Sequence, residues 1–304
     1  MRVSCVAALV IVTLSVAASG EAAAPPRDRL PPTTPTVDGS RTTPDLRPIF
    51  SFGARDNRTP PSQIRFLCAI DTPLLHPCAR VYQPFSALAF GTHVLRVQAT
   101  DRAHNVSRLS TTAFAVVGSW DAAQDFPRAP QAENPAHDRY GNTVWFYLYS
   151  TAPAHDPTQY RPLPEFHVID GANQQWNLGV HPDSTIVTPL VGTNWAQALI
   201  VLHPDRDRFA VLGWRSPYAG KVSVTMELRF PDPAVQVGSN GVVWSIDRAG
   251  SSMRSELLTP GHEAHAAMTL DVTVGDTLYL VIDNNGDSNW DTTVGRFSVE
   301  TVPG

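Results

Sequence analysis

The sequence predicts an all-β protein built as two successive β-sandwiches, the second a jelly roll. Three observations predict it. Short apolar or alternating runs recur along the chain, bounded by Gly, Pro, Asn and Asp. No segment of residues 118–304 carries a sustained apolar period of helical type. The 304 residues are 42% hydrophobic, enough for a core, and that length predicts about two domains.

The chain opens MRVSCVAALVIVTLSVAASGEAAAPP. Arg2 is a positive n-region, Val6 to Ala17 a short apolar stretch, and small residues follow at Ala18, Gly20 and Ala24. This predicts a secretory signal peptide over residues 1–24; it is too short to span a bilayer. No second long apolar run follows, so no membrane insertion is expected after cleavage, and the mature protein is expected outside the cell. Pro25 to Pro48 is rich in Pro, Thr, Asp and Arg, and residues 25–35 are expected to be a linker.

Export leaves two cysteines, Cys68 and Cys78. An even count in an oxidising compartment predicts a disulfide, worth roughly 3 kcal/mol by chain entropy. Two free buried thiols are the alternative. The formal net charge is −5 and arginines are dispersed, which gives no electrostatic case for nucleic acid. Lys221 is the only lysine, a bias that fits a GC-rich bacterial genome.

In residues 36–117 the runs PIFSF, IRFLCAI, THVLRVQAT and TAFAVV predict strands. In THVLRVQAT, Leu95, Val97 and Ala99 share one face, as a half-buried antiparallel strand requires. The spacing predicts a small sandwich. Cys68-Ala-Ile-Asp71, Cys78, Leu88-Ala-Phe-Gly91-Thr-His93 and Ala99-Thr-Asp101-Arg-Ala103-His104-Asn105 resemble the immunoglobulin-like repeat of secreted bacterial surface proteins. The resemblance implies an immunoglobulin-like spacer or adhesive module. His104 stands where that family usually has Gly, at a position that wants φ > 0.

Residues 118–304 hold all seven tryptophans. TVWFYLYS, ALIVLH, RFAVLGW, KVSVTMELRF, GVVWSID, AAMTLDVTV, DTLYLVID and GRFSVETV predict about eight strands of a jelly roll. Trp120-Asp-Ala-Ala-Gln-Asp125-Phe126, Asn134-Pro135, Gly141 to Trp145, His203-Pro204, Trp214 to Gly220, Gly241-Val242, Gly275-Asp276-Thr-Leu278 and Asp291-Thr-Thr293 follow the order of motifs in large secreted bacterial proteins. Those domains resemble jelly-roll carbohydrate-binding modules, which implies an accessory binding domain. Gly213 departs from the Arg usual before the tryptophan.

Three chemistries compete for the polar segments. VIDNNGDSNWDTTV places Asp283, Asn285, Asp287 and Asp291 at alternating positions, a plausible oxygen set for calcium. Asp121 and Asp125 are further candidates to join them, since jelly-roll termini often lie close together. The EF-hand pattern fails, with Val294 where its final Glu belongs. The same Asn-Gly and Asp residues also suit a plain turn between two strands. Trp176, Trp195 and Trp290 follow amides, and with Asn289 they are candidate contacts for a sugar, whose C–H face stacks on an aromatic. Trp145, Trp214 and Trp244 lie in apolar runs and are expected in the core. No HExxH, GxSxG or Walker loop occurs, and His262 and His265 are expected in a loop rather than on a metal-binding helix. The expectation is a non-catalytic exported binding or adhesion protein of the cell exterior, with carbohydrate as ligand. The alternatives are a structural surface protein that binds other proteins, or an exported hydrolase with an unrecognised site.

Overall fold

The computed structural model describes residues 27–130, 132–180, 186–231 and 238–303. The expected signal peptide, residues 1–24, lies outside the described residues, as do the first two residues of the expected linker. The described residues form β-strands and turns, with two single 3-10 turns at Pro61–Gln63 and Pro157–Gln159.

Each expected strand forms, for the reason its pattern gave. In Gly91–Thr100, His93, Leu95, Val97 and Ala99 are buried while Val94, Arg96, Gln98 and Thr100 stay partly exposed. In Gly220–Arg229, Val222, Val224, Met226 and Leu228 turn inward. Each such side chain gains about 1.5–3 kcal/mol on burial.

The first sandwich has a three-stranded sheet ordered Thr36–Asp38, Phe50–Gly53, Val81–Tyr82. It packs on a five-stranded sheet ordered Thr42–Thr43, Ser110–Val116, Gly91–Thr100, Arg65–Ile70, His76–Cys78. Phe50, Phe52, Phe66, Leu95, Val97 and Phe114 fill the space between them. A disulfide joins Cys68 to Cys78, with Cα atoms 5.9 Å apart. Part of the expected linker is docked on this sandwich: Pro32 and Pro35 are buried, and Thr33 N donates to the Arg55 carbonyl at 2.8 Å.

The second sandwich pairs two larger sheets around one aromatic core. The seven-stranded sheet centres on Thr143–Ser150, Ala210–Arg215, Thr277–Asp283 and Val242–Arg248. The eight-stranded sheet centres on Leu190–Asn194, Leu199–His203, Thr293–Thr301, Gly220–Arg229 and Glu263–Val272. Trp120, Trp145, Trp214 and Trp244 are wholly buried between them. Gly295 lies mid-sheet, where a Cβ would collide with the Glu227 backbone carbonyl.

The strands without an apolar signature escaped the sequence pattern. Asn173–Asn177 reads NQQWN, and Ser251–Leu258 is a sheet-edge strand that buries only Leu258. The RAGSS turn is shorter than its sequence, since Ser251 already pairs with Arg248.

Strand register gives the second sandwich two ends. Arg215 faces Thr277 at one end of its strand, and Ala210 faces Ile282 at the other. The first end abuts the first sandwich: Phe90 meets Trp120 edge-on at 5.4 Å and Tyr140 at 5.0 Å. The far end carries the turn between Thr277–Asp283 and Thr293–Thr301, which is the acidic segment.

Candidate functional site

The acidic segment is a turn built on its own side chains. Asp283 Oδ1 accepts from Asn285 N at 2.9 Å, and Asp287 Oδ1 accepts from Asn289 N and Nδ2 at 3.1 and 2.7 Å. Asn285 and Asn240 exchange side chain-to-backbone bonds at 2.8 and 3.2 Å, tying the turn to the segment before Val242. Asn284, which the alternating pattern passes over, is the pin. It is 4% exposed, and its Nδ2 donates to the Asp205 and Arg206 carbonyls while its Oδ1 accepts from Gly286 N at 2.9 Å.

Asp291 is set apart from the other acids. It is wholly buried, and its Oδ1 accepts from Ser239 Oγ at 2.8 Å. Its Oδ2 is buried with no hydrogen-bond partner. Burial pushes its pKa up to about 7; the negative charges of Asp287 and Asp283 push the same way, against the Ser239 bond. Neighbouring His203 is held below the usual histidine range by burial, which outweighs its bond to the Asp291 backbone.

Among the described residues, Asp283, Asp287 and Asp291 do not form a trio of carboxylate oxygens within 4.8 Å of one another. Among the described residues, the acids whose oxygens form a trio within 4.8 Å are Asp28, Asp56 and Asp101 of the first sandwich. That cluster was not visible in sequence because its members are far apart in the chain. Asn105 occupies it, donating to Asp101 Oδ2 at 2.7 Å and to the Asp28 carbonyl at 3.2 Å. Asp121 and Asp125 do not join the far-end loop. Asp121 pairs with Ser298, so roughly 16 Å of strand separates it from Thr293. Asp125 instead accepts from Trp145 Nε1 at 3.2 Å and pairs with Arg139 at 3.3 Å.

The three candidate tryptophans differ in fate. Trp176 is on a strand rather than in a loop and is 6% exposed, stacked with Tyr147 at 6.3 Å and edge-on to Phe166 at 5.1 Å. It is core, a correction to its expected place on a ligand surface. Trp195 is half-buried, with the Arg128 guanidinium over its ring at 4.0 Å, so one stacking face is already taken. Trp290 is 55% exposed and sits in left-handed backbone at φ 63°. Such backbone costs a non-glycine residue of order 1–3 kcal/mol and persists where surroundings impose it. Exposed Asn289 stands beside it.

A Ser-His-Asp trio also exists, at Ser245, His155 and Asp247. Asp247 Oδ2 holds His155 Nδ1 at 2.8 Å, and Ser245 Oγ lies 3.2 Å from the same nitrogen. A nucleophilic serine needs the opposite ring nitrogen. This trio therefore acts as an anchor, holding the segment after Ser150 on the outer face of the sheet. The bond to Asp247 raises the His155 pKa against the effect of burial, with the charges of Asp247 and Asp283 adding to it. His262 lies in a turn, its ring 3.0 Å from Thr259 Oγ1, but His265 is not in the expected loop: it lies on the strand Glu263–Val272, 3.5 Å from Glu263 of the same strand.

No family model matches the chain, and no curated protein matches it. Among solved structures, the CBM51-2 and INT domains of Clostridium perfringens ZmpB, with GlcNAc, are 12% identical with a TM-score of 0.28; the match covers 87% of this chain and 48% of that one. The CBM51 of C. perfringens GH95, with methyl-galactose, is 10% identical with a TM-score of 0.29, covering 60% of this chain and 100% of that one. A carbohydrate-binding module of the β-sandwich superfamily is 10% identical with a TM-score of 0.27, covering 92% and 94%. Likeness of this degree carries no argument about ligand or site. Among the described residues, no helix is long and apolar enough to cross a membrane.

Proposed function

We propose that the protein is an exported, non-catalytic binding protein that takes a glycan at the far end of its second sandwich. The observation that carries this is Trp290: Trp120, Trp145, Trp176, Trp214 and Trp244 are buried, and Trp195 is capped by Arg128, whereas Trp290 is held out into solvent in strained backbone. Exposed Asn289 precedes it, and exposed Asn285 and Asn240, bonded to each other's backbone, belong to the same loop region, neutral groups suited to sugar hydroxyls. The test is retention of the full chain on a panel of insoluble polysaccharides. Retention on one of them, lost in Trp290→Ala at unchanged fold, is the expected result; equal retention by wild type and variant sinks the assignment.

Calcium is proposed separately for the same loop. The feature that favours it is the unpartnered buried Oδ2 of Asp291 beside the charges of Asp283 and Asp287. A calcium titration by calorimetry decides it, with heat expected from wild type and none from Asp291→Asn. Silence from wild type leaves a plain turn.

A further inference from the structure

We propose that the cleft between the two sandwiches is a second binding site, for a single uncharged sugar ring, independent of the far-end loop. The cleft measures about 430 Å³, within the range of roughly 300–1,000 Å³ that small-molecule sites occupy. Leu88 and Phe90 of the first sandwich form one wall; Tyr140, Asn142, Tyr218 and Val274 of the second form the other. Every residue lining it is uncharged, so a charged ligand would lose hydration there without gaining a counter-charge.

The aromatic wall is fixed before any ligand arrives. Phe90 packs against the cores of both sandwiches. Tyr140 and Tyr218 stand edge-on to it at 5.0 and 6.4 Å. The Tyr218 ring lies so close over Gly220 that no Cβ fits there, which seats the ring. Such preformed aromatic surface suits the C–H face of a sugar.

Hydrogen-bonding capacity is left over in the same place. Asn142 Nδ2 donates to both carboxylate oxygens of Asp138, at 3.4 and 3.1 Å, so its carbonyl oxygen is the end left to accept. An accepting amide oxygen beside aromatic surface favours a hydroxyl-bearing ring over a purely apolar one. Asp138 also holds buried Trp120 through Nε1 at 2.7 Å, so the polar edge of the cleft is braced from the core.

The test is calorimetric titration of the full chain with free glucose, galactose and N-acetylglucosamine at millimolar concentrations, and with phenol as an apolar comparator. Val274→Trp plugs the cleft from a position that is 69% exposed, so folding is not at stake; matched urea curves verify this. At least one sugar is expected to bind, with affinity lowered tenfold or more by Val274→Trp and unchanged by Trp290→Ala. No heat from any of the three sugars overturns the proposal. So does binding indifferent to Val274→Trp, or binding lost in Trp290→Ala, which would place the sugar at the far-end loop. Phenol binding that Val274→Trp blocks, with no sugar bound, overturns the ligand class.

Discussion

Replacing Asp291 with Asn should stabilise the protein above neutral pH and do little near pH 4. The carboxyl has a folded pKa of about 7, against about 3.9 for an unfolded aspartate. A raised folded value means the contribution is present below the unfolded pKa and is lost as pH rises through the folded one. The gap of about three units, at 1.36 kcal/mol each, sets an upper bound near 4 kcal/mol; screening by the half-open loop around it reduces this to roughly 2 kcal/mol. The substituted amide keeps an oxygen for the Ser239 hydroxyl, which in the wild type bonds Asp291 Oδ1 at 2.8 Å, and it cannot ionise. Urea unfolding followed by tryptophan fluorescence, at about pH 4 and about pH 8, reads the effect as variant minus wild type, which cancels other titrating groups. The expected difference is near zero or slightly negative at the acid end and about +2 kcal/mol at the alkaline end. A difference that does not change with pH would refute the reasoning, because it would mean Asp291 is ionised at no cost in the folded loop.

His155 carries a pH dependence at a different site. Its raised pKa means the Asp247 pairing stabilises fully below about pH 6.5 and fades as pH rises through the folded value; His155→Asn should cost about 1–2 kcal/mol at pH 6 and less at pH 9, read by the same unfolding assay. Gly295→Ala should cost more than about 3 kcal/mol, or abolish soluble expression, because the added carbon meets the Glu227 carbonyl in mid-sheet; a midpoint in urea unchanged from wild type would contradict that packing. His104→Gly should raise stability by up to about 1 kcal/mol, since His104 sits at φ 65°; thermal unfolding that shows a loss would mean the imidazole makes a contact worth more than the strain.

The fold was legible where burial is one-sided. KVSVTMELRF alternates because one face of Gly220–Arg229 meets the core and the other meets solvent, so its pattern and its structure coincide. Asn173–Asn177 and Ser251–Leu258 were illegible because long-range pairing, not local apolar content, makes them strands. The same distinction explains the tryptophans. NQQW reads as a polar loop, yet the strand turns Trp176 inward against Tyr147 while its amides stay half-exposed. The strained backbone at His104 was legible because the repeat that this segment resembles has Gly at that position, whereas the strain at Trp290 has no such marker. Asp28, Asp56 and Asp101 meet only through tertiary structure, and no spacing rule reaches them.

The two proposed sites differ in kind because the two ends of the second sandwich face different neighbours. The far-end turn satisfies its backbone with carboxylates and amides, which places Asp283, Asp287 and Asp291 within electrostatic reach of one another. The near end abuts another sandwich, and the residues lining its cleft are uncharged, because charges desolvated between two β-surfaces would need partners. The physical consequence is that pH and salt act on the charged far-end loop and not on the uncharged cleft. Sugar affinity in the cleft should therefore stay level between about pH 5 and pH 8, a window that spans the Asp291 titration. Affinity that tracks that titration would tie both observations to the loop and leave the cleft as packing between sandwiches.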